Sequence, residues 1–202
     1  MCDFDLFEYC QLTRITEEIA NLPFECGDLD LEDFFHREAV LYAQARLGKT
    51  YVFLDNTTSI TKVVAFFTVS NDSVKTKFIP KSATNKVQRR IPGQKHLRTY
   101  PAVLIGRLGV ASDYQGPRFH VGKQVINYLK TWFVEEDNKT GCRFMVVDAY
   151  NKERVLSFYL RNQFKFLYKD ECQERREQHI IDNEPLLTRH MFLDLLNTVI
   201  VD

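Results

Sequence analysis

Residues 103–122 read VLIGRLGVASDYQGPRFHVG, and the rest of the chain is best understood outward from them. Val103, Leu104, Ile105, Leu108 and Val110 form the apolar, β-branched run that a buried central strand needs. Ser112 and Asp113 end it, and Gln115, Gly116 and Pro117 are turn chemistry. From Val121 the apolar side chains recur at Val121, Val125, Leu129 and Trp132 with Phe133, which is the spacing of an amphipathic helix. A strand, a glycine-bearing loop and a helix start together make an anion site. The first-turn N–H groups have no acceptor within the helix, and the helix dipole adds positive potential at the same place.

The chain has 202 residues, a length that suits one domain over 1–202 with a full core. Hydrophobic residues make up 45% and charged residues 27%, which is globular composition. Lys+Arg and Asp+Glu each number 27, so net charge points to no partner. Distribution says more. From Ser73 to Ser112 there is no acidic residue, while Lys75, Lys77, Lys81, Lys86, Arg89, Arg90, Lys95, Arg98 and Arg107 all fall there. With Pro80, Pro92, Gly93 and Pro101 this reads as a basic insertion loop over 73–100, with room for one short helix near Lys81 to Gln88. It is read either as a solvated face or as a basic rim for a polyanion such as RNA. Only Phe78 and Tyr100 are aromatic there, which argues against a base-stacking platform.

The five cysteines, Cys2, Cys10, Cys26, Cys142 and Cys172, are odd in number and form no CxxC pair. That argues against a disulfide framework or a zinc site and for a reducing compartment. The N-terminus carries Asp3, Asp5 and Glu8 and no secretory pattern, and the run Val63 to Phe67 is too short to span a membrane. A cytoplasmic protein without membrane attachment is expected.

In chain order, residues 8–20 read as a strand and a helical turn. Asp28 or Asp30 caps a helix with the stripe Leu31, Phe35, Ala39 and Tyr42, ended by Gly48. Thr50–Leu54 and Ile60–Ser70 read as strands around the turn Asp55-Asn56-Thr57-Thr58. Arg143–Ala149 is a further buried strand. A helix follows with Val155, Leu156, Tyr159 and Leu160, then strands at Phe164–Tyr168 and Leu187–Leu196. The charged stretch Lys169–Asn183 between them reads as an exposed excursion. Strands before and after helices, with a parallel crossover around the central strand, give an α/β (α+β) chain with a mixed sheet flanked by helices.

Leu108-Gly109-Val110 followed by Tyr114-Gln115-Gly116 resembles the acyl-CoA-binding core of the GNAT acetyltransferase superfamily. There a strand ending Leu-x-Val runs into Gln/Arg-x-x-Gly-x-Gly and a helix. Here Arg118 and His120 stand where the family has glycine or alanine, and Val121-Gly122 looks like the family's Ile-Gly pair displaced by two residues. A two-residue insertion with the helix starting at Val121 accounts for both. Asn151 to Phe166, NKERVLSFYLRNQFKF, is similar to the GNAT segment Asn-x-x-Ala-x-x-Phe-Tyr-x-x-x-Gly-Phe, with Gln163 in the glycine's place. Phe24-Glu25-Cys26-Gly27 followed by Leu31-x-x-Phe34 and Ala39 resembles the GNAT subgroup that contains the tRNA-acetylating toxins.

The resemblance implies a GNAT fold with a central sheet of six to seven strands and about four helices. It implies acetyl-CoA as cosubstrate, an amine as acceptor, no metal, and a monomer or homodimer, and it admits tRNA as a partner. Backbone at Leu108, Gly109 and Val110 would pair with the pantetheine, and Gly109 or Val110 N–H would polarise the thioester carbonyl. The segment Gln115, Gly116, Arg118, Phe119, His120, Val121, Gly122 and Lys123 would face the pyrophosphate, with Arg118 adding charge. Asn151 would bond the pantetheine, or else cap the following helix. Tyr159 would be the general acid, since a leaving thiolate needs a proton and a phenol of pKa about 10 can give one.

No general base stands out. Asp148 and His120 are both read as structural or solvent-facing. His36, His96, His179 and His190 show no ligand spacing, and no P-loop, G-x-S-x-G or HExxH is present. Two other readings stand beside the N-acetyltransferase: a toxin-type enzyme acting on aminoacyl-tRNA, and a GNAT-fold CoA-binding or regulatory protein without transferase activity.

Overall fold

The computed structural model describes residues 4–78, 99–181 and 183–197. Most of the basic stretch, the short helix near Lys81 to Gln88 and His96 lie outside them. The seven strands are β1 (Cys10–Arg14), β2 (Lys49–Asp55), β3 (Lys62–Lys75), β4 (Thr99–Val110), β5 (Phe144–Tyr150), β6 (Lys165–Phe166) and β7 (Thr188–Asp194). They form one mixed sheet in the order β1-β2-β3-β4-β5-β7-β6. Contacts divide the chain into two compact units, Met1–Ser70 with Ile105–Thr131 and Asn71–Leu104 with Trp132–Asp202.

In the first unit, β1, β2 and β3 pair antiparallel in sequence. Helices α1 (Leu6–Tyr9), α2 (Glu17–Ala20), α3 (Leu29–Asp33) and α4 (Ala39–Gln44) belong to it, as does α5 (Val121–Trp132). Asp28 is the N-cap of α3, its carboxylate accepting from Leu31 N–H at 3.2 Å. The expected single stripe from Leu31 to Tyr42 is broken by a π-helical turn at Phe34–Glu38, closed by Ala39 N–H on the Phe34 carbonyl. Phe34 and Phe35, at the start of that turn, are both buried. Gly48 does not end α4. The left-handed residue after it is Arg46, with φ 59°.

Phe66 of β3 anchors this core, with ring centroids 5.3 Å from Phe24, 5.2 Å from Phe35 and 6.2 Å from Phe34. Gly109 of β4 sits against it. A Cβ there would come within 2.6 Å of Phe66 Cε1 and 3.1 Å of Phe24 Cζ. Phe66 is wedged among three rings and cannot yield cheaply, so Gly109→Ala should cost about 1–3 kcal/mol in urea unfolding.

In the second unit, β5 and β7 pair antiparallel from Phe144↔Asp194 to Tyr150↔Thr188. Arg143 N–H donates to the Pro101 carbonyl, joining the beginning of β5 to the beginning of β4. Helix α6 (Glu153–Arg161) follows β5, and α7 (Glu171–Glu177) precedes β7. Val74, Tyr100, Ala102, Phe144, Val146 and Phe192 pack as one cluster.

Two expectations are corrected here. The strand expected over Phe164–Tyr168 is only the two-residue β6, paired Lys165↔Phe192 and Phe166↔Met191. The charged stretch 169–183 is exposed along most of its described length, as expected, but it is not an irregular excursion: Glu171–Glu177 folds as α7 and inserts Glu174 completely into the protein. Glu174 accepts from buried Arg189 Nε at 2.6 Å and from the backbone N–H of His190. Burial of a charged side chain is stable only with such partners.

Candidate functional site

The loop that enters α5 belongs to the first unit. After β4, a 3-10 turn over Ser112–Tyr114 leads to Gly116, whose φ of 101° is left-handed. The amides of Phe119 and His120 both close on the Gly116 carbonyl, at 3.4 and 3.2 Å. His120 has φ 49°, so the conformation that favours glycine is kept although the residue is histidine. Gln124 N–H returns to the His120 carbonyl at 3.1 Å. The helix therefore starts at Val121, as the displaced motif predicts. The amides of Val121, Gly122 and Lys123 are left with no intrahelical acceptor. Arg118, His120 and Lys123 are exposed beside them, while Val121 is buried. Three amides, a helix N-terminus and two cations suit a pyrophosphate.

Removing the side chain at a left-handed position relieves about 1–2 kcal/mol, less the extra chain entropy of glycine. His120→Gly should therefore raise unfolding stability by about 0.5–1 kcal/mol, read by chemical denaturation.

Leu108 and Val110 are half-buried and Gly109 is buried. The Val110 carbonyl accepts from Gln115 Nε2 at 2.8 Å. Gln115 also donates from Nε2 to the Cys26 carbonyl at 2.8 Å, so its amide nitrogen faces the protein. Tyr114 donates to Asp55 Oδ2 at 3.0 Å. Burial, and after it that bond, push the Tyr114 phenol up.

Tyr159 lies on α6 in the second unit. Its ring packs against Phe158 at 5.1 Å and Phe164 at 5.2 Å. The residue is 8% exposed, and burial raises the phenol above its ordinary range, keeping it protonated. Among the described residues no hydrogen bond engages its hydroxyl. Gln163, in the place of the family's glycine, has φ 74°, so here too the left-handed turn survives the substitution. Asn151 is not the N-cap of α6; Lys152 is. Asn151 Nδ2 instead donates to the Leu186 carbonyl at 3.0 Å, and its N–H to Leu187 at 2.8 Å.

Asp148, read as structural or solvent-facing, is half exposed and paired, and its partner was not legible in the sequence. His190 Nε2 lies 2.9 Å from its carboxylate, across the β5–β7 register. That bond pushes the His190 pKa up against burial. No sequence spacing joins residues 42 apart; the register alone does. Among the described residues, no group of three His, Cys, Asp or Glu side chains converges to hold a metal, and no helix is long and apolar enough to cross a membrane.

No family model matches this sequence. Solved structures do. A tyrosine-to-phenylalanine mutant of KacT is 17% identical, with TM-score 0.68 over 93% of this chain and 96% of that one. A tyrosine-to-phenylalanine mutant of the AtaT toxin, bound to the C-terminus of the antitoxin AtaR and acetyl-CoA, is 15% identical with TM-score 0.56 over 93% and 94%. AtaT complexed with acetyl-methionyl-tRNAfMet is 18% identical with TM-score 0.61 over 92% and 94%. Strand order, the β4–loop–α5 passage and these similarities agree: the chain has the GNAT fold, as those solved structures do.

Proposed function

We propose that this chain is an N-acetyltransferase that uses acetyl-CoA. The observation that carries the reading is Tyr159, a buried phenol held protonated with its hydroxyl unengaged among the described residues. The acceptor amine attacks the thioester carbonyl directly, and a C–N bond forms as the C–S bond breaks. The thiolate takes its proton from Tyr159, and the amine's proton returns to the phenolate through water. No covalent enzyme intermediate is needed, because holding both reactants together supplies the main advantage. The amides of Val121, Gly122 and Lys123, which have no acceptor within the helix, support the placement of the pyrophosphate on the first turn of α5.

Thermal unfolding with acetyl-CoA, beside CoA and desulfo-CoA, tests this. A ligand at about 100 times Kd adds about 2.7 kcal/mol, a shift of roughly 5–11 °C at this length. No shift at millimolar ligand would overturn the reading in favour of a GNAT-fold protein without transferase activity.

For the acceptor, the solved complex of AtaT with acetyl-methionyl-tRNAfMet favours the α-amine of an aminoacyl-tRNA. Acetyl transfer to charged tRNA but not to uncharged tRNA or small amines would support it, and the reverse would reject it.

A further inference from the structure

We infer that Gln115 is a positioning residue that couples the loop entering α5 to the turn at Cys26 and Gly27; the inference rests on the acetyl-CoA reading above. Its side chain does not reach outward as a phosphate ligand. Nε2 donates to two carbonyls, Val110 and Cys26, each at 2.8 Å. Both partners are acceptors, so only the nitrogen of the amide satisfies them, and the orientation follows from chemistry.

The far side of the bridge is equally well tied. Cys26 N–H and Gly27 N–H both donate to Glu32 Oε1, at 2.8 and 2.9 Å, and these amide bonds hold that carboxyl below its usual range. Ser112 N–H donates to the Glu25 carbonyl at 2.8 Å. Gly27 takes φ 80°, and the next residue, Asp28, caps α3. The line therefore runs from Gly116 through Gln115 to Cys26, then through Glu32 into the first turns of α3. On the near side, the amides of Phe119 and His120 pull on the Gly116 carbonyl, adjacent in the chain to Gln115. A ligand that fixes 116–123 fixes Gln115, and through it the Cys26–Gly27 turn. All of these residues belong to the first unit.

The bridge needs donors, not size. Arginine can serve two carbonyls at once, whereas glutamate matches glutamine in length and has no donor when ionised. The test uses the full chain with CoA as the probe and amide hydrogen exchange at Cys26 and Gly27 as the readout. CoA should slow both amides by about tenfold or more in the wild type and in Gln115→Arg. In Gln115→Glu the slowing should vanish while CoA still binds, its Kd raised by no more than about tenfold. Should Gln115→Glu not fold, Gln115→Met takes its place. Equal slowing in the donor-less variant, or unchanged wild-type exchange at saturating CoA, would overturn the inference. Failure of the wild type to bind CoA at all would instead overturn the acetyl-CoA reading, and this inference with it.

Discussion

Tyr159→Phe should lower kcat by about 100- to 1,000-fold while the Kd for acetyl-CoA stays within about twofold. The substitution is unusually clean. The ring contacts to Phe158 and Phe164 remain, and no hydrogen bond among the described residues is lost with the hydroxyl. Folding stability should therefore hardly move, and the kinetic change reports chemistry alone. A loss of that size corresponds to about 3–4 kcal/mol of transition-state stabilisation, within the range for one positioned acid. A thiolate that leaves without a proton would make the hydroxyl dispensable. An unchanged kcat would thus remove Tyr159 from the mechanism.

The largest stability effect should come from Glu174→Ala, about 3–5 kcal/mol, or roughly 10 °C in Tm. Arg189 is 8% exposed at its side chain and Glu174 is not exposed at all, with 2.6 Å between Nε and Oε2. Removing the carboxylate leaves a buried guanidinium with Glu171 as its remaining acidic partner, at 2.9 Å and half exposed. Glu171→Ala is the control and should cost no more than about 1 kcal/mol, since solvent screens it. The double variant Glu174→Ala, Arg189→Met should recover part of the loss, because it removes the stranded charge. Equal costs for Glu174→Ala and Glu171→Ala would show that the buried pair contributes nothing special.

The central strand, the start of α5 at Val121 and an aspartate cap at Asp28 or Asp30 were legible in the sequence because each leaves a local mark: an apolar run, a period, a capping side chain. The left-handed turns at His120 and Gln163 were only half legible. Their positions followed from the motif, but histidine and glutamine gave no sign that the backbone would keep a glycine's conformation. The π-helical turn at Phe34–Glu38 left no mark, since two adjacent phenylalanines fit either a regular helix or a strand. The burial of Glu174 was not legible because its partner lies 15 residues on, and a charge says nothing about which distant charge it will meet. Asp148 and His190 meet only through strand register. In the candidate site, Gln115 was assigned to the right loop, but the direction of its amide depended on Cys26, 89 residues away.

β6 is two residues long, too short to cover β7. At His190 the missing main-chain acceptor is replaced by a side chain: Glu174 Oε1 takes the N–H at 2.5 Å, and Leu167 N–H serves the carbonyl. A helix carboxylate thus closes a sheet margin that would otherwise accept a strand from another molecule. Loss of Glu174 then opens a route to self-association as well as lowering stability, and concentration-dependent turbidity in that variant should begin below its unfolding temperature.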